Sequence, residues 1–208
     1  GPASSITIDA NTGEVLSSSN ADIRRYPASL TKLMTLYITF NALDKGLIKM
    51  EDKLPVSRTA ANRSPSKLGL RVGEKITVHD AIMALIVKSA NDCATVLAEG
   101  LGYSEENFAK TMTEVAHELG MKNTTFKNAS GLPNSQQKTT ARDMATLGAA
   151  MYHHFPQYYK LFATTKFTYK GKTLYTHNHL LKSFKGADGM KTGFTNAAGY
   201  NIVTSAER

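Results

Sequence analysis

The stretch that decides the fold is residues 28–44, ASLTKLMTLYITFNALD, which follows Pro27 and ends shortly before Gly46. Drawn as a helix, it carries apolar side chains on nearly every side, which is typical of a helix covered by protein all round. A proline before the first turn and a glycine after the last are common helix boundaries. We therefore predict a helix that lies buried in the centre of the molecule.

Segments of β-strand character lie near both ends of the chain. Residues 4–10 alternate apolar with polar positions, residues 11–13 carry turn residues, and residues 14–18 can pair back as a second strand, which predicts an N-terminal hairpin. Further strands are predicted at residues 166–169, 172–175, 189–192 and 199–205. The terminal strands are expected to pair with each other, because a single antiparallel sheet made from both chain ends is the economical arrangement.

The middle of the chain is predicted to be helical. The predicted helices are residues 78–88, 91–101, 104–119 and 140–152. Residues 123–138, rich in Asn, Ser, Gly and Pro, predict a long ordered loop, and such loops in compact domains are often functional. The whole pattern predicts an α+β fold, in which a helical block is inserted into the sheet and the central helix packs between them.

Length and composition suit one globular domain. Of the 208 residues, 41% are hydrophobic and 20% charged, and no apolar run approaches the roughly 18 residues of a membrane span. The net charge of +8 favours anionic partners, but scattered basic residues and the absence of Trp argue against nucleic acid. The single cysteine, Cys93, excludes an internal disulfide and is expected to be buried. The six histidines lack a convincing metal-ligand spacing, so we expect no metal and no other cofactor.

The sequence Ser29-Leu30-Thr31-Lys32 fits the pattern S-x-x-K, in which a lysine one helical turn after a serine can reach its hydroxyl. The pattern alone is weak, because it recurs at residues 64–67 and 135–138 in polar stretches without a helix to fix the spacing. The first copy begins a buried helix, where desolvation favours a neutral lysine that can accept the serine proton. The alternative is a helix-capping serine followed by a lysine that reaches solvent.

Two further motifs could serve the same chemistry. Ser89-Ala90-Asn91 lies between two predicted helices, where the serine could pass a proton and the amide could hold a substrate carbonyl or the lysine. Lys191-Thr192-Gly193 lies in a predicted strand, where a cation and a hydroxyl could clamp a carboxylate. The glycine would let an extended peptide lie close to the backbone. A helix cap and an exposed turn are the alternative interpretations.

Taken together, the motifs occur in the order S-x-x-K, S-x-N, K-T-G at spacings of roughly 60 and 100 residues. With residues 128–133 (NASGLP), 140–144 (TARDM) and 188–195 (DGMKTGFT), they resemble the low-molecular-mass penicillin-binding proteins of the D-alanyl-D-alanine carboxypeptidase type. The resemblance covers essentially the whole chain and implies a fold like that of β-lactamases and penicillin-binding proteins. It also implies an enzyme that removes the terminal D-alanine of peptidoglycan stem pentapeptides through an acyl-enzyme and is inhibited by β-lactams.

The resemblance implies a role for each matching residue. Ser29 would attack the scissile carbonyl, Lys32 would act as the base, and Ser89 would relay the proton to the leaving amine. The residues implied to bind substrate are Asn91, Lys191, Thr192, Gly193 and Phe194. Asn91 would orient the substrate and the lysine, and Lys191 with Thr192 would receive the D-alanine carboxylate. The backbone N–H groups of Ser29 and Phe194 would form the oxyanion hole.

The family also implies a boundary and a location. Its members continue past the K-T-G strand, usually into a β-rich C-terminal domain with an amphipathic membrane anchor, whereas this sequence stops at Arg208. We therefore expect residues 1–208 to be a single catalytic domain that ends early, with the anchor and a carboxylate-binding arginine beyond Arg208. Because peptidoglycan lies outside the cytoplasmic membrane, the family implies an exported enzyme, periplasmic or on the outer face of that membrane.

Four alternatives stay open. A class A β-lactamase shares the fold and the motifs but needs a glutamate, usually within E-x-x-L-N, and that sequence does not occur between Asn91 and Lys191. A catalytically inactive wall-binding module would keep the fold without the reaction. A transpeptidase differs only in whether an amine or water resolves the acyl-enzyme, and an endopeptidase differs in the bond that it cleaves.

Overall fold

The structure is a computed structural model that describes residues 3–176, 184–186 and 199–204. Its strands are β1 (Ser4–Asp9), β2 (Val15–Ser19), β3 (Lys53–Pro55), β4 (Lys75–Thr77), β5 (Lys166–Tyr169), β6 (Lys172–Tyr175), β7 (Phe184–Gly186) and β8 (Gly199–Thr204). Its helices are α1 (Thr31–Asp44), α2 (Arg58–Ala61), α3 (Val78–Lys88), α4 (Asn91–Gly102), α5 (Glu105–Glu118), α6 (Ala141–His154) and α7 (Pro156–Tyr159). Two 3-10 turns occupy Ala28–Leu30 and Lys160–Ala163.

The main sheet joins the two ends of the chain, as the sequence predicts. Its described strands follow the order β2-β1-β8-β7, and every neighbouring pair is antiparallel. The register of β1 with β8 runs from Ser4 opposite Thr204 to Asp9 opposite Gly199. Ile6 and Ile8 alternate with half-buried residues along β1 and enter the core. This alternation fixes which face of β1 is buried.

One part of the predicted sheet is separate from it. Strands β5 and β6 pair only with each other among the described residues, and they pack against α3. The sequence correctly predicts their positions but wrongly assigns them to the terminal sheet. The tight turn at Lys170 and Gly171 closes them into a hairpin, and Phe167 is buried in the core. A strand pattern indicates a half-buried surface, but it does not say which element covers that surface.

The central helix lies in the core, as its apolar composition predicts. Eleven of the residues in α1 are buried, and they include Leu33, Met34, Leu36 and Phe40. The ring of Phe40 stacks on Tyr158 with centroids 5.2 Å apart, while helices α4, α5 and α6 pack around α1. The α-helix begins three residues later than predicted. Ala28 has φ of 49°, in the left-handed region, so the chain turns before the regular helix starts.

The helical block matches its predicted boundaries within about two residues. Helices α3, α5 and α6 begin at the side chains of Thr77, Ser104 and Thr140, each of which accepts a hydrogen bond from a backbone N–H three residues on. The predicted loop at 123–138 is ordered and carries no helix or strand of its own. Within the described part of the chain, no helix has both the length and the apolar character that crossing a bilayer requires.

Candidate active site

Two serines that lie 60 positions apart in the chain meet at one end of the central helix. Ser29 lies on the 3-10 turn that precedes α1, and Ser89 lies in the junction between α3 and α4. The Ser89 hydroxyl donates to the Ser29 hydroxyl oxygen at 3.4 Å. Ser89 ends α3 with φ of 57° and ψ of 46°, a left-handed conformation that turns its side chain out of the helix. The structure thus brings together two of the predicted site residues.

Lys32 lies one helical turn after Ser29, and its side chain is only 2% exposed. Its ammonium group donates to the carbonyl oxygen of Ser130 at 2.8 Å. Burial lowers the pKa of Lys32 from 10.5 to about 7, because the charged form loses its hydration. The Ser130 carbonyl oxygen carries only a partial negative charge, so it does not fully compensate the ammonium form of Lys32 for its lost hydration. At neutral pH a large fraction of this amine is therefore neutral and able to accept a proton.

Asn91 begins α4 two residues after Ser89, and it is almost fully buried. Its backbone N–H donates to the Ser66 carbonyl at 2.7 Å, and its side-chain amide donates to the Ser64 carbonyl at 3.4 Å. The Ser66 hydroxyl in turn donates to the carbonyl of Lys88 at 3.0 Å. These bonds attach residues 64–66 to the helix junction. The segment containing the second S-x-x-K copy thereby forms a wall of the site through its backbone.

The carboxylate of Asp92 holds the next part of this wall. It is fully buried and accepts from the backbone N–H groups of Leu68, Gly69 and Leu70 at 2.9, 2.9 and 3.0 Å. A buried carboxylate is stable in such a position only because its lone pairs are satisfied. None of the sequence motifs described above assigns a function to Asp92. An acidic residue in the first turn of an apolar helix is the signal that could have indicated such a role.

The opposite wall is the loop that contains Asn128, Ser130 and Gly131. Gly131 has φ of 90°, and a Cβ atom there would lie 1.8 Å from the carbonyl oxygen of Ala28. The Asn128 side-chain oxygen accepts from the Gly131 N–H at 2.8 Å and closes the turn. This turn presents the Ser130 carbonyl to Lys32. The loop that the sequence predicts to be functional therefore lines the site through its backbone.

Glu105, at the start of α5, connects the two walls. One carboxylate oxygen accepts from the Ala129 N–H at 3.0 Å, and the other accepts from Arg63 at 2.6 Å and from the Thr95 hydroxyl at 3.0 Å. The Thr35 hydroxyl of α1 donates to the Ala129 carbonyl at 2.8 Å. No motif in the sequence indicates a role for Glu105. Its side chain is buried, although a first-turn acidic residue of a surface helix usually faces solvent.

These walls enclose a cavity of about 340 Å³. It is lined by Ser29, Lys32, Ser89 and Asn91 together with residues 28, 65–66 and 130–133. Every described residue that the sequence assigns to the site therefore faces one cavity. The assigned residues Lys191, Thr192, Gly193 and Phe194 lie outside the described residues, as does the predicted strand at 189–192.

Among the residues that the structure describes, no cysteine or histidine lines this cavity. Cys93 is fully buried as expected, and burial raises the pKa of its thiol well above the usual value. Its thiol is therefore protonated and unreactive at neutral pH. His177 and His179 lie outside the described residues. Among the described side chains, no three His, Cys, Asp or Glu residues converge as metal ligands would.

Solved structures define the class of fold. The chain aligns with a crystal structure of penicillin binding protein 5 from Haemophilus influenzae with a TM-score of 0.82 and 37% identity, over 96% of this chain and 59% of that one. It aligns with penicillin-binding protein D2 from Listeria monocytogenes, solved in a cefotaxime-bound form, with a TM-score of 0.80 and 28% identity, over 98% and 90%. The fold is therefore that of the penicillin-binding proteins.

Sequence comparison identifies the family. The chain is 40% identical to the D-alanyl-D-alanine carboxypeptidase DacC of Escherichia coli, over 97% of its own length and 52% of that protein. It spans about half the length of this and similar curated relatives. The family model described as D-alanyl-D-alanine carboxypeptidase matches residues 2–208. The chain belongs to this family.

Proposed function

We propose that this chain is the catalytic domain of a serine D-alanyl-D-alanine carboxypeptidase that removes the terminal D-alanine of peptidoglycan stem pentapeptides. The observation that carries the proposal is a buried lysine with a pKa of about 7, one turn after a serine whose hydroxyl lies 3.4 Å from a second serine. This arrangement provides a nucleophile, a base of which a large fraction is neutral near pH 7, and a proton relay. Family membership supports the same reaction.

Acylation begins when the Ser29 hydroxyl oxygen attacks the carbonyl carbon between the two D-alanines. The hydroxyl proton passes to neutral Lys32 as the new C–O bond forms and the carbonyl electrons move to its oxygen. Ser89 then passes a proton to the leaving nitrogen while the lysine proton replaces it, so the C–N bond breaks and D-alanine departs as an amine. Water later attacks the carbonyl carbon of the ester, the bond from that carbon to the Ser29 oxygen breaks, a proton from the water restores the Ser29 hydroxyl, and the shortened stem peptide leaves with a new terminal carboxylate.

The remaining assigned residues bind the substrate in this proposal. Asn91 orients the peptide and Lys32, and Lys191 with Thr192 receives the terminal carboxylate, while Gly193 allows close approach of the backbone. The N–H groups of Ser29 and Phe194 stabilise the oxyanion, at about 3 kcal/mol per donor. The roles of residues 191–194 rest on the family motif.

β-Lactams are proposed to acylate Ser29 in the same way, since their strained amide occupies the position of the scissile bond. The cefotaxime-bound form of a structural relative supports this proposal. Among the described residues that line the catalytic cavity there is no carboxylate that could activate water, which favours a long-lived adduct over rapid hydrolysis. The substrate implies action outside the cytoplasmic membrane, and residues 1–208 are proposed to act as one catalytic domain.

The direct test is intact-mass spectrometry after incubation with a penicillin, paired with an assay of D-alanine release from a D-Ala-D-Ala pentapeptide. The wild type should gain the mass of one penicillin and release D-alanine, and Ser29→Ala should do neither. Ser135→Ala is the matched control, since it removes the serine of another S-x-x-K copy on an exposed loop. An adduct that persists in Ser29→Ala would overturn the assignment of the nucleophile. A folded wild type with neither adduct nor release would favour an inactive wall-binding module.

A further inference from the structure

A second cavity lies beside the catalytic one, with a volume of about 360 Å³. One side is formed by residues 68–74, and the other by the β5–β6 hairpin. Lys88, which directly precedes Ser89 in the chain, also lines this cavity. Leu68, Tyr169 and Leu174 supply an apolar part of the lining. We refer to this second cavity as the basic cleft, because its charged groups are mostly cations.

The charges of the basic cleft do not balance. Its lining contains Arg71, Lys88, Lys170 and Lys172 but a single carboxylate, Glu74. The Glu74 carboxylate already forms an ion pair with Lys170 and accepts from the backbone N–H of Arg71 at 2.6 Å. Lys170 also lies 5.5 Å from the centroid of the Tyr169 ring. Glu74 thus pairs with Lys170, and the lining contains no second carboxylate for Arg71, Lys88 and Lys172 among the described residues.

No described carboxylate forms an ion pair with the three remaining cations, Arg71, Lys88 and Lys172. A concave surface with charge of one sign concentrates the field and attracts counter-ions. A guanidinium group also matches the planar oxygens of a carboxylate or phosphate with two parallel hydrogen bonds. The half-buried position of Lys88 makes water a poorer competitor there than at the open surface.

The basic cleft and the catalytic cavity share a wall. Residues 65–66 line the catalytic cavity and residues 68–69 line the cleft, and the Asp92 carboxylate holds residues 68–69 by accepting from their backbone N–H groups. The Ser66 hydroxyl binds the Lys88 carbonyl on the same wall. A molecule that reaches Ser29 can therefore extend over this wall and place another of its groups in the cleft.

We propose that the basic cleft binds an anionic group, a carboxylate or a phosphate, carried by the cell-wall polymer whose stem peptide occupies the catalytic cavity. This inference rests on the proposed function for the identity of the polymer. It adds a second contact to the substrate, remote from the bond that is cleaved. The contact raises the affinity for anionic wall polymer and does not affect small substrates that fill only the catalytic cavity.

The test uses Arg71→Gln/Lys172→Gln, which removes two charges of the cleft and leaves Lys88 in place next to Ser89. Lys110→Gln/Lys122→Gln is the matched control, because it makes the same change in net charge at two exposed positions that line neither cavity. Two substrates are compared: a D-Ala-D-Ala pentapeptide with an additional side-chain carboxylate, and the same peptide with that carboxylate amidated. Binding of a glycerol phosphate oligomer is measured separately by NMR titration.

If the carboxylate of the peptide is the ligand, the wild type should favour the acidic peptide by about fivefold in kcat/KM, with the preference lost in the cleft variant and kept in the control. If the phosphate of a wall polymer is the ligand, the oligomer should bind the wild type and the control but not the cleft variant. Both effects should weaken at high salt. Equal behaviour of the two variants with both probes would overturn the proposal.

Penicillin acylation separates this proposal from the proposed function. A penicillin fills only the catalytic cavity, so the cleft variant should be acylated at the wild-type rate. If the wild type is not acylated at Ser29, the proposed function fails, while the oligomer titration still tests the cleft by itself. If acylation is normal but neither probe distinguishes the variants, the cleft proposal alone fails.

Discussion

The ammonium group of Lys32 donates a hydrogen bond to the carbonyl oxygen of Ser130 at 2.8 Å, although the two residues lie 98 positions apart in the chain. This carbonyl can accept a hydrogen bond from the amine in either protonation state. It therefore fixes the position of the nitrogen without adding the full negative charge that would favour the ammonium form. The bond explains how a lysine can be held rigidly beside a serine and still have a pKa of about 7.

The first prediction concerns pH. Because neutral Lys32 is the proposed base, the second-order rate of penicillin acylation should rise about tenfold per unit below pH 7 and level off above it. The rate falls at low pH because protonation of Lys32 below its pKa of about 7 removes the lone pair that accepts the serine proton. Stopped-flow or mass-spectrometric acylation rates between about pH 5.5 and 8.5 measure the midpoint, and circular dichroism checks that the fold persists.

Two variants accompany that measurement. Lys32→Arg keeps a permanent charge and should lower the acylation rate by at least about a hundredfold at every pH. Lys138→Arg makes the same change at another S-x-x-K copy and should keep the wild-type profile. A midpoint near 10, the ordinary lysine value, would contradict the role of burial, and a rate independent of pH would contradict the role of Lys32 as base.

The sequence predicts that Ser29, Lys32, Ser89 and Asn91 belong to one site because each lies in a short motif at or beside a helix end. Ser29 and Lys32 are one turn apart, and Ser89 lies where one apolar periodicity ends and another begins. The same sequence patterns predict the order of strands and helices in the α+β fold and the pairing of strands from the two chain ends. It wrongly joins β5 and β6 to the terminal sheet, because a strand pattern does not name its partner.

The residues that the sequence does not reveal act through backbone groups. Asp92 binds three loop N–H groups, Glu105 binds the N–H of Ala129, and Ser130 contributes its carbonyl oxygen. Every residue except proline has a backbone N–H donor, and every residue has a backbone carbonyl acceptor. The residue type therefore does not indicate which backbone groups take part in the site. Only the path of the loops brings them to the site.

The second prediction concerns Glu105, which we expect to position the Ser130 carbonyl through Ala129. Glu105→Leu leaves the Ala129 N–H without its acceptor, which should cost about 1–3 kcal/mol of unfolding free energy. It should also lower the penicillin acylation rate about tenfold, since a displaced Ser130 no longer holds Lys32. Glu105→Gln retains an acceptor oxygen and should restore most of the rate. Urea unfolding and acylation kinetics measure the two effects.

Glu106 provides the control for this prediction, because it is the neighbouring acidic residue in the same helical turn and is exposed. Glu106→Leu should leave both the stability and the acylation rate near the wild-type values. A purely structural role for Glu105 would lower stability in Glu105→Leu but leave the acylation rate of the folded fraction unchanged. That outcome would contradict the positioning role.

The third prediction compares two glycines with nearly the same backbone conformation. Gly131 has φ of 90° and Gly120 has φ of 93°, so alanine is strained at both positions by about 1–2 kcal/mol. Only at Gly131 would the added Cβ meet another atom, the Ala28 carbonyl oxygen, at 1.8 Å. Ala28 precedes Ser29, so the clash must move the turn that carries the proposed nucleophile. Gly131→Ala should therefore lose at least about tenfold in penicillin acylation rate, whereas Gly120→Ala should lose stability alone.

Acylation rates of the two variants, measured under conditions where circular dichroism shows that both are folded, separate the effect of the clash from the effect of the backbone strain. Equal rates would show that residues 28–29 tolerate displacement, and the close packing of Gly131 against Ala28 would then have no part in positioning Ser29.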